Sequence, residues 1–253
     1  MIYKIKLRLF FVLEKFFSLF GLQVLYSKKE EMNRNLKIKN IIDVGVANGT
    51  SFLLKNYPNA NYLFVEPYKK FYPYIENNLL KTYKGKLFKY AAHNKSELKN
   101  FYMLDVSSSI IKRNNVKYKH KPIIVKAEKL DTILKNEKIT KDSLLKIDTE
   151  GNELNVLKGS SNILKKINFL VVELRLKNIK TYNPNELIAF IYKKKFIWDS
   201  IIEAGYARNG LSYIDILFKK KNSTSELLLY LYIYIISNFN IFGIWIIISK
   251  YSR

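Results

Sequence analysis

The stretch Ile41-Ile-Asp-Val-Gly-Val-Ala-Asn-Gly-Thr50 constrains the fold of this chain more than any other. Residues 41–45 read as a buried strand. Gly45 and Gly49 then allow a tight turn whose backbone can approach a ligand, and Thr50 and Ser51 are placed to cap a helix carrying Phe52, Leu53 and Leu54. Strand, glycine turn and helix in that order hold a nucleotide-like ligand at the carboxyl edge of a parallel sheet. A second short strand, Tyr62-Leu-Phe-Val65, ends on Glu66-Pro67, 17 residues beyond Gly49, and an acid there lies where ribose hydroxyls would.

Past this unit, strands and helices alternate. Strands are predicted at 41–45, 62–66, 86–92, 143–148 and 168–174, with a hairpin addition at 100–104 and 122–126. Helices fit at 51–56, 68–80, 128–136, 152–166 and 184–194. That order argues for an α/β fold, a mostly parallel sheet covered by helices on both faces. The last two strands, Phe196–Ile202 and Leu211–Phe218, are separated by a span too short for a crossover helix, which predicts an antiparallel pair at the sheet's end.

The formal charge of +23 arises from 44 Lys+Arg against 21 Asp+Glu, and it raises a basic nucleic-acid-binding module as an alternative. Two observations argue against nucleic acid as a partner: the lysines are dispersed rather than clustered, and only six arginines occur, Arg8, Arg34, Arg113, Arg175, Arg208 and Arg253. Arginine is the preferred reader of phosphates and bases. With no cysteine there is no thiolate metal site, and His93 and His120 lie in unlike contexts, so no metal site is assigned. A nicotinamide-dependent oxidoreductase would need Gly-x-Gly-x-x-Gly, whereas this turn has Gly45-x-x-x-Gly49.

Three regions follow. Residues 1–39 hold a basic amphipathic helix and a charged linker, 40–221 the catalytic-sized domain, and 222–253 an apolar tail in which Leu227–Ile248 carries no charge over 22 residues. Ser237, Asn238, Asn240 and Gly243 divide the tail into two short halves. Both termini read either as helices packed on the domain or as contacts with a membrane surface.

Asp43-Val-Gly-Val-Ala-Asn-Gly49, Phe64-Val-Glu-Pro67, Lys146-Ile-Asp-Thr-Glu-Gly151, Val156-Leu-Lys-Gly159 and Leu170-Val-Val-Glu173 together resemble the FkbM family of S-adenosylmethionine-dependent methyltransferases, from about residue 40 to about 218. The resemblance implies a Rossmann-like class I methyltransferase fold: a seven-stranded sheet with a final antiparallel strand, here flanked by hydrophobic terminal helices. It also implies methyl transfer to oxygen, commonly a hydroxyl of a sugar in a surface glycan, glycolipid or other natural product. The expected setting is cytoplasmic, with the termini suited to the inner face of the cell membrane. The turn departs from the family in carrying Val46-Ala47-Asn48 where Ala-Asn-aliphatic is commoner, and His93 stands where a small polar residue is usual.

S-adenosylmethionine needs close backbone approach, an acid for its ribose and a partner for its amino-acid end. Gly45, Asn48 and Gly49 would form the floor, and Glu66 would accept from the ribose. Asp43 would orient the turn or reach the amino-acid end through water, a strand-end cap being its other reading. Ala92 and His93 end the third strand where adenine would lie, although a His93 satisfied by protein partners or exposed is the preferred reading. Asp148 and Glu150 share a strand terminus, with Glu173 ending the adjoining strand. Asp148 or Glu150 is the candidate base for the acceptor hydroxyl. Mg²⁺ held by these carboxylates, or a purely structural turn at Glu150-Gly151, are the alternatives. Lys146 is expected at the sheet's margin, and Gly159 at a close helix contact.

Overall fold

The computed structural model describes residues 36–221 except 115, 177–181 and 208–209. The amphipathic helix predicted in 1–26 and the apolar tail 222–253 lie outside the described residues. Among the described residues no helix is long and apolar enough to cross a membrane.

Among the described residues, ten strands form two sheets. In chain order they are β1 Asn40–Val44, β2 Asn61–Val65, β3 Gly85–Phe88, β4 Ala91–His93, β5 Glu97–Phe101, β6 Ile123–Lys129, β7 Ser143–Ile147, β8 Phe169–Arg175, β9 Phe196–Ala207 and β10 Gly210–Lys220. The main sheet runs β3-β2-β1-β7-β8-β10-β9; the pairs from β3 to β8 are parallel, and β10 is antiparallel to both neighbours. This is the mostly parallel α/β sheet with an antiparallel pair at its end that the residues predict, and the seven strands with one reversed that the resemblance implies. β1 and β7 are nearly continuous apolar runs because helices cover both faces. One face buries Ile42, Leu63, Leu145 and Val172 beneath the helices Glu153–Lys158, Ser161–Lys166 and Pro184–Lys193; the other buries Ile41, Tyr62, Phe64, Leu144 and Val171 beneath Ser51–Asn56 and the helical run around Ile75.

Three element assignments change. The single strand predicted over 86–92 is two, because the chain leaves the main sheet after Phe88 and joins a three-stranded sheet ordered β4-β6-β5. The helix predicted over 152–166 breaks at Gly159-Ser160 into two. A Cβ on Gly159 would lie 1.9 Å from the carbonyl oxygen of His93, so the close contact is with a strand end rather than with another helix. The final hairpin is also longer than its apolar pattern: β9 extends to Ala207 and β10 begins at Gly210, which draws Glu203 and Gly205 out of the predicted loop and into paired strand.

Candidate active site

A cleft of about 430 Å³ opens at the carboxyl edge of the main sheet. Gly45 and Gly49 both take left-handed backbone, φ 83° and 89°, and Ala47 between them has φ 44°. The loop closes on itself where the Gly49 amide donates to the Val46 carbonyl at 2.7 Å. A Cβ on Gly45 would sit 1.7 Å from the carbonyl oxygen of Asp148, so the turns after β1 and β7 touch backbone to backbone. Glu66, buried at the end of β2, braces this turn: one carboxylate oxygen accepts from the Ala47 amide at 3.0 Å and the other from the Tyr68 amide at 2.8 Å. Burial raises its pKa against the pull of those amides.

Sheet register sets the rest of the edge. Val44 pairs with Val65 and Ile147, Ile147 with Val172, and Asp215 with both Glu173 and Glu203. One residue further along β2, β1 and β7, Glu66, Gly45 and Asp148 therefore fall in line with Glu173, Asp215 and Glu203. Six adjacent strands thus present one row, an acid on every strand except β1, where the glycine stands. Like charges directly opposite one another on neighbouring strands destabilise a sheet, so the row needs compensation.

Two cations of the chain supply part of it. Lys146 was expected at the sheet's margin but is central and 3% exposed, its ammonium 3.1 Å from Asp148 and 3.6 Å from Asp43. The ammonium leaves the apolar surroundings of β7 towards these carboxylates and the Gly45 carbonyl, 3.5 Å away. Burial opposes its charge, yet Asp148, Asp43 and Asp215 outweigh that and hold its pKa above the usual lysine value. Arg175 donates to Glu173 at 2.7 Å and pairs with Glu150, which Arg113 also reaches from the loop after β5. Burial, then Asp148, pushes the Glu173 carboxyl up to about 9 against the pull of Arg175.

Each residue singled out in the sequence now has a place. Gly45, Asn48, Gly49, Glu66, Ala92, Asp148, Glu150 and Glu173 all line the cleft. Asp43 lies behind its wall, accepting from the Thr50 hydroxyl at 2.9 Å, so it holds the start of the helix Ser51–Asn56 rather than facing the cleft. His93 is also buried behind the wall, its ring between Asn152 at 3.2 Å and Glu97 at 3.2 Å. The β7 turn is stapled by Glu153, not capped by Glu150: one Glu153 oxygen accepts from the amides of Thr149 and Gly151. Glu150 instead takes φ 58°, a left-handed conformation that turns its carboxylate to the two arginines. Arg175, Arg113, Asp215 and Glu203 were missed. Arg175 was findable, since it is one of six arginines and stands two residues after Glu173 on the same side of a strand.

The donor set fits S-adenosylmethionine. The floor is bare backbone with no room for a side chain at Gly45, and Glu66, though bonded to two amides, keeps lone pairs for a diol. Mg²⁺ fits less well. Oxygens of Asp148, Glu150 and Glu173 lie within 4.8 Å of one another, but each carboxylate already has Lys146, Arg113 or Arg175 as partner, and a divalent ion would have to displace those pairs.

Several known proteins are similar to this chain. Hexuronic acid methyltransferase AglP of Haloferax volcanii is 41% identical over 44 residues, a stretch that spans 17% of this chain and only 18% of that relative. Among solved structures, TrmK of M. capricolum in complex with S-adenosyl-homocysteine aligns with 85% of this chain and 84% of its own at 13% identity and TM-score 0.43. The magnesium protoporphyrin IX methyltransferase ChlM of Synechocystis PCC 6803 with bound SAM aligns with 74% of this chain and 72% of its own at 10% identity and TM-score 0.42. Residues 43–206 match the family model of the methyltransferase FkbM domain. That match covers well over half of the sequence, and the chain belongs to the FkbM methyltransferase family.

Proposed function

We propose that this methyltransferase transfers a methyl group from S-adenosylmethionine to a hydroxyl oxygen of a sugar, in a surface glycan, a glycolipid or a related natural product. The observation that carries the reading is that one cleft holds both the Gly45–Gly49 turn with Glu66 and, further along the same row, Asp148 beside Glu173. The first half suits a nucleoside with a ribose diol. Gly45, Asn48 and Gly49 would give the floor, Glu66 the ribose acceptor and Ala92 a flat wall for the adenine, while Asp43 and His93 would hold the walls from behind. Bound there, the cofactor supplies an electrophilic methyl group, and the protein's task is alignment of the incoming oxygen and removal of its proton.

Asp148 is the proposed base. Its side chain is 30% exposed, against 11% for Glu150 and 7% for Glu173, and its one cationic partner is an ammonium behind it. Glu150 is clamped by two arginines, and Glu173 is buried and already accepts from Arg175. A carbohydrate acceptor draws support from AglP, a hexuronic acid methyltransferase by name. A cytoplasmic location follows from the need for S-adenosylmethionine, and contact of the apolar termini with the inner face of the membrane rests on their sequence.

The test is incubation with methyl-labelled S-adenosylmethionine and a panel of glycosides, with products resolved by mass spectrometry. O-methylated sugar formed by the natural chain and lost in Asp148→Asn supports the reading. Label on a nitrogen, or on RNA added in place of sugar, overturns it.

A further inference from the structure

The chain carries +23 overall, yet its cleft is acidic. Besides Glu66, Asp148, Glu173, Asp215 and Glu203 of the row, Asp105 and Glu150 line it, and the only cationic lining residues among those described are Lys146 and Arg175. The excess is greatest on the final hairpin. Asp215 on β10 faces Glu173 on one side and Glu203 on the other, and it is 8% exposed. Its Oδ1 is buried without a hydrogen-bond partner, an expensive state for a carboxylate unless a ligand completes it. Beside it, Tyr213 lines the cleft directly across from Gly205, where a Cβ would lie 2.0 Å from the tyrosine ring, so the glycine makes room for the ring to lie over β9.

This group stands apart from the glycine turn. β10 is three strands from β1, roughly 14 Å at the usual spacing, with the Asp148 carboxylate between them. S-adenosylmethionine seated on Gly45 and Glu66 would bring its methyl group towards Asp148 and leave Asp215 and Glu203 to whatever the methyl group is passed to.

We propose that Glu203, Asp215, Glu173 and the Tyr213 hydroxyl form the acceptor subsite, and that it takes a sugar bearing a protonated amine beside its hydroxyl groups. An ammonium and hydroxyl protons are the donors that a row of carboxylates lacks. An anionic acceptor, whether a uronate, a sugar phosphate or an RNA backbone, meets like charge there. The subsite rests on the proposed function, because it assumes that the glycine turn holds the cofactor. It departs from AglP in the charge of the acceptor. Burial and the carboxylates Asp148 and Glu203 push the Asp215 carboxyl up to about 7 despite the pull of Lys146, as expected of a group awaiting a positive partner.

The experiment is calorimetric titration of the full chain, saturated with S-adenosyl-homocysteine, with three methyl glycosides of one configuration: the glucosaminide, the glucoside and the glucuronide. The expected order of affinity is glucosaminide, then glucoside, then glucuronide, with about tenfold between the first and last. In Asp215→Asn that advantage should shrink to about twofold, with S-adenosyl-homocysteine affinity unchanged. Should Asp215→Asn fail to fold, Glu203→Gln, at the open end of the row, gives the same readout with a smaller loss. A glucuronide bound as tightly as the glucosaminide, no discrimination, or no binding of any of the three overturns the subsite. Failure of S-adenosyl-homocysteine itself to bind would instead sink the proposed function, so the two failures are distinguishable.

Discussion

The two ends of the cleft solve the same problem, a buried carboxylate, in opposite ways. At the β2 end, both oxygens of Glu66 are met by backbone amides, so the carboxylate's position is dictated by the turn itself. At the β10 end, Asp215 has an oxygen with no hydrogen-bond partner and leans on Lys146 through space. A carboxylate fixed by backbone suits the proposed cofactor, which does not change, and one left open suits the proposed acceptor, which is selected. The acidic row that joins them explains why a strongly basic chain need not bind anions at its active site.

The sharpest way to break this contrast is at the glycines. Gly45→Ala would place a Cβ 1.7 Å from the backbone of Asp148 in a left-handed conformation, and neither turn can yield without separating β1 from β7. The expected outcome is a chain that fails to fold or loses more than about 3 kcal/mol, read from thermal or denaturant unfolding. A Gly45→Ala protein with a normal melting curve and normal cofactor affinity would remove the backbone-built end of the comparison.

Next in size is the chemistry between the ends. Asp148→Asn keeps the shape of the row and removes the proposed base, so kcat should fall by about 10²- to 10⁴-fold while cofactor affinity changes little. An undiminished kcat would move the proton transfer elsewhere. Glu66→Gln acts on the other quantity. It retains an acceptor for one amide but not for two amides and a diol together, and cofactor affinity should weaken by about 10- to 100-fold, measured by titration with S-adenosyl-homocysteine.

The same division separates what could be read in the sequence from what could not. Features set by local chain geometry were legible: the Gly45–Gly49 turn, the acid after β2, the antiparallel hairpin, the apolar runs of β1 and β7. Features set by register across the sheet were not. Asp215 and Glu203 are far from Asp148 along the chain and join it only because β10 inserts between β8 and β9, a neighbour relation that no local pattern encodes. Lys146 misled for a related reason: a lysine in an apolar strand suggests an edge, and its central place makes sense only once Asp43 and Asp148 are seen on either side. The Glu153 staple was hidden because Glu150, nearer the turn, had an equal claim to its amides. The split of the third strand was hidden because Phe88 to Ala91 reads as continuous strand, although the two ends pair in different sheets.

A smaller effect tests the open end directly through pH. Burial raises the Asp215 carboxyl from 3.8 to about 7, so between those values the folded chain binds a proton that the unfolded chain has released. The Asp215 contribution to stability is then full at and below the lower value and is lost as pH rises towards the upper one, because unfolding relieves the buried charge. At about 1.4 kcal/mol per unit, the loss over this interval is on the order of 4 kcal/mol. Asp215→Asn should flatten that part of the profile. A melting temperature of the natural chain that rises through the same interval would contradict the assignment.

The smallest effect distinguishes the two glycines. Gly205→Ala meets the ring of Tyr213 at 2.0 Å, against 1.7 Å at Gly45, but its obstacle is a side chain with its own rotamers and not a strand backbone. The ring should swing aside, at a cost of about 1–2 kcal/mol in unfolding free energy. Cofactor affinity should stay unchanged, since Gly45 and Glu66 are strands away. Glycoside affinity should fall several-fold, since the tyrosine hydroxyl would leave the row. If both ligands weaken together, the hairpin and the glycine turn form one unit, and the division of the cleft into a fixed end and a selective end does not hold.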